Sequence, residues 1–285
     1  ALLKLEDGTT FYGKSYGVDG YSTGELVFNT SMTGYQEIIT DPSYASQIVV
    51  LTYPHIGNTG INFDDYESSK TQIAGLVIRN PVLFANHWKM QKLLTEFLYD
   101  NKVIAIAGVD TRKITRHLRS KGALNACIMT GSIDEERALI LAQKSLKLTD
   151  LDLVNQVTSS SIYEWSKKNI DNLLPSSDDS PKPFQTAPHV VVYDYGVKQS
   201  ILQCLVDKKC IVTVVPASTS ANVVLSLQPD GILLSNGPGD PSKYHYAITN
   251  IKKLLLTNIP IFGICLGHQL LALSCDAKIF KMKFG

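Results

Sequence analysis

The spacing of apolar and polar positions changes near His189, and the two parts of the chain predict different folds. After His189, short apolar runs alternate with stretches of helical periodicity. Strands that alternate with helices form a parallel sheet covered by helices on both faces. The second part is therefore predicted to be a doubly wound α/β domain. Its expected strands cover 190–194, 211–215, 231–235 and 259–264, and its expected helices 196–206, 221–227 and 247–256.

Before His189, strands and helices follow one another without regular alternation, which predicts an α+β domain. The first two apolar runs flank Asp7-Gly8, a dipeptide that favours a hairpin. The segment 132–135 (SIDE) predicts a capping box that opens a helix through Leu146. The other expected elements are strands at 47–52, 73–78 and 103–107, and helices at 91–99 and 110–120, the latter closed by Gly122.

A segment rich in proline, serine and aspartate separates the two parts. Residues 175–188 read PSSDDSPKPFQTAP, a composition typical of linkers. The predicted organisation is a first domain at 1–149, a connecting helix or linker at 150–188, and a second domain at 189–285.

Composition narrows the class of protein and its compartment. The 285 residues are 44% apolar and 19% charged, which is typical of a soluble globular protein. A formal net charge of +1 gives no electrostatic case for binding nucleic acid or an anionic membrane. No apolar run approaches the ~20 residues that span a bilayer. Five cysteines without disulfide or metal-site spacing predict reduced thiols and a cytoplasmic location, and the histidines show no metal-ligand spacing.

The most specific chemical signal lies at Cys265. An apolar run stops there between Gly263 and Gly267 and resumes as a helix, which is the cysteine version of the G-x-S-x-G nucleophile elbow. A cysteine at a helix N-terminus is favoured as a thiolate, because free N–H groups point at it. The N–H of Leu266 would point at an oxyanion during acyl transfer. We therefore predict that Cys265 is a nucleophile.

Other residues near this signal have plainer interpretations. His268 is close to Cys265 in sequence, but a hydrogen-bonded structural histidine is the better interpretation. The loop Gly237-Pro238-Gly239 ends the third strand and would face Cys265, although such sequences also form ordinary turns. No Gly-Lys-Ser/Thr follows it, so it is not a phosphate loop. The remaining cysteines, Cys127, Cys204, Cys210 and Cys275, are expected to be small buried apolar residues.

One predicted helix carries five cations and leaves two interpretations open. It forms either a docking face for a partner or an acidic ligand, or a solvated helix with cations near its C-terminus. The cations are Arg112, Lys113, Arg116, Arg119 and Lys121.

Several strings resemble a known family. Residues 262–270 (FGICLGHQL) and 235–241 (SNGPGDP) are similar to class I, triad-type glutamine amidotransferases. Residues 25–36 (ELVFNTSMTGYQ), 40–54 (TDPSYASQIVVLTYP) and 109–112 (VDTR) resemble the first domain of the small subunit of carbamoyl-phosphate synthetase. The resemblance covers essentially the whole chain. It implies an α+β first domain followed by a doubly wound class I glutamine amidotransferase domain.

The resemblance implies that glutamine is hydrolysed and that the ammonia passes through a tunnel to a large subunit. That subunit would use ATP, magnesium and bicarbonate to make carbamoyl phosphate for pyrimidine and arginine synthesis, so no cofactor is expected on this chain. Cys265 matches the nucleophile that forms a thioester. Leu266 with Gly239 or Gly237 would supply the oxyanion hole, and Gln269 with the 237–239 loop would hold the glutamine. Ser43 matches a residue that contacts the glutamine backbone.

One departure from the family pattern concerns the catalytic base. In the family a histidine and its acidic partner lie in a Gly-His-Pro-Glu type of motif far beyond the nucleophile, and no such motif follows Cys265 here. Residues 277–284 predict a further strand of an unfinished sheet, so the amidotransferase domain is expected to be incomplete. Two alternatives follow: a non-catalytic docking or scaffold fragment of the same complex, and, less favoured, a cysteine hydrolase with another acyl substrate.

Overall fold

The computed structural model describes residues 1–82, 84–166 and 187–283. Their contacts divide the chain into two units, Ala1–Leu151 with Lys281–Gly285, and Asp152–Phe280. The segment 167–186, with most of the predicted linker, lies outside the described residues. Within the described ranges, every helix is too short or too polar to cross a bilayer.

The first unit is built on a mixed sheet with the strand order β2-β1-β10-β4-β5-β7-β9-β3 among the described residues. Its strands are β1 (Leu2–Leu5), β2 (Thr10–Tyr12), β3 (Lys14–Ser15), β4 (Tyr21–Asn29), β5 (Gln47–Leu51), β7 (Gly75–Val77), β9 (Ile104–Ala107) and β10 (Leu124–Met129). A separate short pair joins β6 (His55–Ile56) and β8 (Asn80–Pro81). The strands β4, β5, β7 and β9 are parallel neighbours, and the remaining pairs of the large sheet are antiparallel.

Helices cover both faces of this sheet because its central strands are apolar on both sides. Along β5, Val49 packs in one core cluster, whereas Ile48 and Val50 pack in the other. The helices are α1 (Tyr35–Thr40), α2 (Leu94–Asp100), α3 (Thr111–Lys121) and α4 (Glu135–Lys144). The predicted hairpin at Asp7-Gly8 and the helix that ends at Gly122 are confirmed.

The second unit is a parallel sheet with one antiparallel edge strand. The described strands are β11 (Tyr163–Trp165), β12 (His189–Asp194), β13 (Ile211–Pro216), β14 (Gly231–Leu234) and β15 (Ile261–Gly263), in the order β11-β13-β12-β14-β15. Its helices are α5 (Leu153–Val157), α6 (Gln199–Asp207), α7 (Ala221–Ser226), α8 (His245–Leu254) and α9 (Leu266–Ser274). Among the described strands of this unit, β11 alone runs antiparallel to its neighbour.

The side chains of β12 show why this unit has helices on both faces. Val191 and Tyr193 pack with residues of α7, α8 and α9, whereas Val192 packs in a second cluster with Leu202 of α6. Successive residues of a strand point to opposite faces, so an apolar strand requires cover on both sides. The prediction of a doubly wound parallel sheet is confirmed.

Three local predictions differ from the structure. The cap of α4 is Asp134, whose carboxylate accepts the Arg137 N–H at 2.9 Å, instead of a box opened at Ser132. Residues 277–283 form no strand, because their backbone meets no neighbouring strand among the described residues. The predicted connecting segment at 150–188 is not wholly a linker, because its residues up to 166 contribute α5 and β11 to the second unit.

Candidate active site

Cys265 stands at a sharp turn between a strand and a helix. The strand β15 ends at Gly263, and α9 begins at Leu266, directly after the cysteine. The backbone of Cys265 has φ 51° and ψ −111°. This conformation is energetically unfavourable for any residue other than glycine. Its side chain is exposed. A strained, exposed cysteine at a strand-to-helix turn is the geometry of a nucleophile elbow.

The two glycines that flank Cys265 are required by the space around them. A side chain on Gly267 would overlap the carbonyl oxygen of Leu234, the last residue of β14. A Cβ on Gly263 would lie 2.6 Å from the N atom of His268 and 2.7 Å from the carbonyl oxygen of Gly267. Helix α9 therefore packs directly on the ends of β14 and β15, and only glycine permits this approach.

Backbone hydrogen bonds fix the position of the turn. The N–H of Ile264 donates to Leu234 O at 2.9 Å, and the N–H of Gly267 donates to Ser235 O at 3.0 Å. The N–H of Gln269 donates to Cys265 O at 3.0 Å, which closes the first turn of α9. The cysteine is thus held at the carboxyl end of the parallel sheet, where ligand sites of such sheets lie.

The N–H of Leu266 is available to a ligand. No acceptor lies within hydrogen-bonding distance of it in the part of the chain that the structure describes. The first N–H groups of a helix have no partner within the helix, so they bind caps, water or anions. This donor directly follows Cys265, which is the position that the predicted oxyanion hole requires.

The loop 237–239 lies against this elbow. A Cβ on Gly237 would overlap Tyr195 O and lie 2.9 Å from Cδ2 of Leu266, so the structure brings Gly237 and Leu266 together. Gly239 has φ 91°, and a Cβ there would overlap the hydroxyl of Tyr244. That hydroxyl donates to Pro238 O at 3.3 Å, and this hydrogen bond stabilises the conformation of the loop.

Sequence reasoning missed the group that supports this loop. The carboxylate of Asp194 at the end of β12 is buried. One oxygen accepts the N–H groups of Gly196 and Val197, both at 2.9 Å, and the other accepts the N–H of Ser159 at 2.8 Å. Asp194 therefore shapes the turn that carries Tyr195, on which Gly237 packs. The only signal in the sequence was an Asp at a strand end two residues before a glycine.

Gln269 and His268 lie on the exposed side of α9. Gln269 lies one helical turn after Cys265, and the contact with glutamine that the resemblance implies for it stays a prediction. His268 was expected to be a hydrogen-bonded structural residue. That expectation is wrong, because its side chain is exposed and makes no hydrogen bond with the described residues.

Ser43 belongs to the first unit. It lies in the 3-10 helix Pro42–Tyr44, and its N–H donates to the Asp41 carboxylate at 2.8 Å. Its side chain is half-buried. The contact with glutamine that the resemblance implies for Ser43 stays a prediction.

The four remaining cysteines do not share one environment. Cys127 is fully buried in β10, and burial raises the pKa of its thiol to about 11. Cys210 is partly buried, whereas Cys204 and Cys275 are exposed. The expectation of burial is therefore wrong for Cys204, on the outer side of α6, and for Cys275, which follows α9.

The class of protein follows from comparisons with known proteins. Residues 191–285 match the family described as glutamine amidotransferase class-I. Residues 3–128 match the CPSase domain of the carbamoyl-phosphate synthase small chain. The chain belongs to the carbamoyl-phosphate synthase small-chain family and carries a class-I glutamine amidotransferase domain.

Relatives that match the whole chain agree with this assignment. The chain is 54% identical over 288 residues to a protein named carbamoyl phosphate synthase small chain from Yersinia pseudotuberculosis serotype I (strain IP32953), covering 100% of this chain and 73% of that relative. A protein of the same name from Vibrio parahaemolyticus serotype O3:K6 (strain RIMD 2210633) is 54% identical over 289 residues, covering 100% of this chain and 75% of the relative. Among solved structures, an aminopeptidase from Aneurinibacillus sp. strain AM-1 has 10% identity, a TM-score of 0.28 and coverage of 96% of this chain and 69% of its own, a likeness too weak to inform the fold.

Proposed function

We propose that this chain hydrolyses the side-chain amide of L-glutamine through a thioester on Cys265. The observation that carries the proposal is the exposed Cys265 with φ 51° at the start of α9, in a chain of this family. A packing cysteine needs neither the strained backbone nor the two flanking glycines. A nucleophile needs both, because its sulfur must stand clear of the strand and the helix.

The first half of the reaction forms the thioester. The Cys265 sulfur attacks the amide carbon, and the carbonyl oxygen becomes an oxyanion that accepts hydrogen bonds from the Leu266 N–H and from the N–H of Gly239 or Gly237. The C–N bond then breaks, and ammonia leaves with a proton from a general acid. Gln269, the 237–239 loop and Ser43 are the groups we propose to hold the substrate.

The second half releases glutamate. Water adds to the thioester carbon, the C–S bond breaks, and the thiol of Cys265 is restored. This step needs a general base, which the family resemblance assigns to a histidine in a Gly-His-Pro-Glu type of motif that does not occur in these 285 residues.

We propose further that the ammonia passes through a tunnel to a large synthetase subunit. In this assignment ATP, magnesium and bicarbonate bind that subunit, and this chain holds no cofactor of its own. The product, carbamoyl phosphate, would supply pyrimidine and arginine synthesis in the cytoplasm. The support is the family membership of residues 3–128.

Intact mass after treatment with a glutamine-shaped chloroketone tests the proposal. We expect a single adduct, absent in Cys265→Ser, retained in Cys275→Ser, and suppressed by excess L-glutamine. Cys275 is the matched control because its side chain is also exposed and lies at the other end of the same helix. An adduct that survives in Cys265→Ser, or that glutamine does not suppress, contradicts an assembled glutamine site at Cys265.

A further inference from the structure

A cavity in the first unit lies away from Cys265 on the chain and is not used by the proposed reaction. Its volume is about 350 Å³, and its lining is Thr30, Thr52, Pro54, Arg79, Arg112 and Thr115. All of these residues belong to the unit that contains Ala1–Leu151. Ligand pockets are typically ~300–1,000 Å³, so the cavity has the size for a small molecule.

The position of the cavity in the sheet is that of a binding site. Thr30 directly follows β4, Thr52 directly follows β5, and Arg79 comes two residues after β7. Arg112 and Thr115 lie on α3, the helix that follows β9. These four strands are parallel neighbours, and open parallel sheets bind ligands beyond the carboxyl ends of their strands.

The backbone holds these strand ends side by side. The N–H of Thr52 donates to Asn29 O at 3.0 Å, which connects the ends of β5 and β4. The N–H of Gly108 donates to Arg79 O at 2.8 Å, which connects the segment after β9 with the segment after β7. These two hydrogen bonds hold the loop segments that line the cavity next to one another, and Arg112 and Thr115 are held by α3.

The charge of the cavity is positive and is not neutralised by neighbours. Within the described residues, neither the Arg79 nor the Arg112 guanidinium has an ion-pair partner. The nearby acid at the start of α3, Asp110, uses a carboxylate oxygen to accept the Lys113 N–H at 2.9 Å. Residues 111–121 contain no acidic side chain, and the first turn of a helix adds a partial positive charge.

The number of donors selects the chemistry of the ligand. Each guanidinium offers five N–H donors in a planar fork, and the hydroxyls of Thr30 and Thr52 offer one each. The hydroxyl of Thr115 already donates to Thr111 O at 2.8 Å. A carboxylate presents two oxygens, whereas a phosphoryl group presents three strongly accepting oxygens and a larger charge. Two forks and two hydroxyl donors around one cavity match the phosphoryl group better. We propose that this cavity binds the phosphoryl group of a small molecule, with Arg79 and Arg112 as its principal ligands.

The proposal gives Arg112 a role that the amidotransferase chemistry does not. Arg112 ends the VDTR string, and its helix has two open interpretations, a docking face for a partner or an acidic ligand and a solvated helix. Arg112 and Arg116 are both exposed on α3, but Arg112 lines the cavity and Arg116 does not. Arg116 is therefore a matched control for charge on the same helix.

The proposal is tested by measuring the binding of inorganic phosphate to the chain by isothermal titration calorimetry at constant ionic strength. We expect one saturable site, weakened about tenfold or more in Arg79→Gln and in Arg112→Gln, and changed less than about twofold in Arg116→Gln. Arg112→Lys keeps the charge but loses the fork, so an intermediate affinity is expected. Acetate at the same ionic strength should bind at least about tenfold more weakly than phosphate.

Three outcomes overturn the proposal. These are the absence of a saturable phosphate site in the unaltered chain, an equal loss in Arg116→Gln, and an acetate affinity equal to that of phosphate. Unfolding midpoints of all variants show whether each one is folded, and Arg79→Lys replaces Arg79→Gln if the latter is not. Because no measurement depends on glutamine turnover, the result is independent of the function proposed for Cys265.

Discussion

Gly267 of α9 lies against the carbonyl oxygen of Leu234 at the end of β14, with no space between them for a side chain. The N–H of Gly267 also donates to the next carbonyl oxygen, that of Ser235, at 3.0 Å. The helix that starts after Cys265 is thus packed directly on a neighbouring strand. The position of Cys265 therefore depends on this contact as well as on the strand that leads to it.

Gly267→Ala is expected to lower the free energy of unfolding by about 1–3 kcal/mol, because the new Cβ must push α9 away from β14. The same displacement should slow the reaction of Cys265 with the chloroketone. Urea unfolding measures the first effect and timed mass spectra the second.

Gly231→Ala, on the same strand β14, is the control for this substitution. A Cβ there would have its nearest neighbour, Pro260 O, at 3.8 Å, so a change within about 0.5 kcal/mol is expected. If Gly267→Ala is as stable and as reactive as Gly231→Ala, the close approach does not position the cysteine.

Asp194→Ala is expected to destabilise the second unit by roughly 2–5 kcal/mol. The substitution leaves three N–H groups without their acceptor, and unsatisfied buried donors cost about 1–3 kcal/mol each before relaxation. Asp194→Asn keeps one acceptor oxygen and should cost less. Asp230→Ala is the control, because the exposed Asp230 accepts a single N–H, from His189 at 2.7 Å. Equal urea midpoints for the two alanine variants would refute the structural role of Asp194.

The contrast between Cys265 and Asp194 shows what local sequence can predict. The elbow is encoded within five residues, since the glycines, the cysteine and the following helix are neighbours in the chain. Asp194 acts partly through Ser159, 35 positions earlier, and no local pattern identifies that partner. The doubly wound sheet was predictable for the same reason as the elbow, because alternation of strands and helices is itself a local signal.

Burial and strand pairing were harder to predict for related reasons. Cys204 and Cys275 are as apolar as Cys127, but which side of a helix is covered depends on the tertiary packing. The segment 277–283 has the alternation of a strand, yet a strand needs the N–H and C=O groups of a neighbour. The parallel run β4-β5-β7-β9, which creates the cavity with Arg79 and Arg112, follows from non-local pairing and had no signature in the first half.

The buried thiol of Cys127 is expected to lower the free energy of unfolding at alkaline pH. Burial raises the pKa of its thiol from an ordinary 9.0 to about 11, so below pH 9 the thiol is protonated in both states and contributes nothing to the pH dependence. Between these values the unfolded chain releases the proton and the folded chain keeps it, so the free energy of unfolding falls as pH rises. The expected loss from this group is about 2 kcal/mol.

Urea unfolding from pH 8.5 to 10.5 measures this slope. Cys127→Ala should be less stable at every pH because of the lost packing, but its slope should be shallower than that of the unaltered chain. Cys204→Ala, which removes an exposed thiol, is the matched control for the loss of a cysteine. Buried tyrosines contribute equally in all three proteins, so the difference isolates Cys127. Identical slopes would show that its thiol does not titrate differently in the two states.

Gly239→Ala tests whether the 237–239 loop supplies a donor to the oxyanion. A Cβ at φ 91° is strained, and it would overlap the Tyr244 hydroxyl, so the loop must move. Loss of one oxyanion donor costs about 10²–10³ in rate, and a displaced donor should cost about tenfold or more. The glutamine-shaped chloroketone has a carbonyl oxygen that becomes an oxyanion when the thiolate adds, whereas iodoacetamide reacts by direct displacement without one. We therefore expect slower modification of Cys265 by the chloroketone and an unchanged rate with iodoacetamide. If both reagents slow equally, the substitution has altered the exposure of the thiol, and the loop is not part of the oxyanion hole.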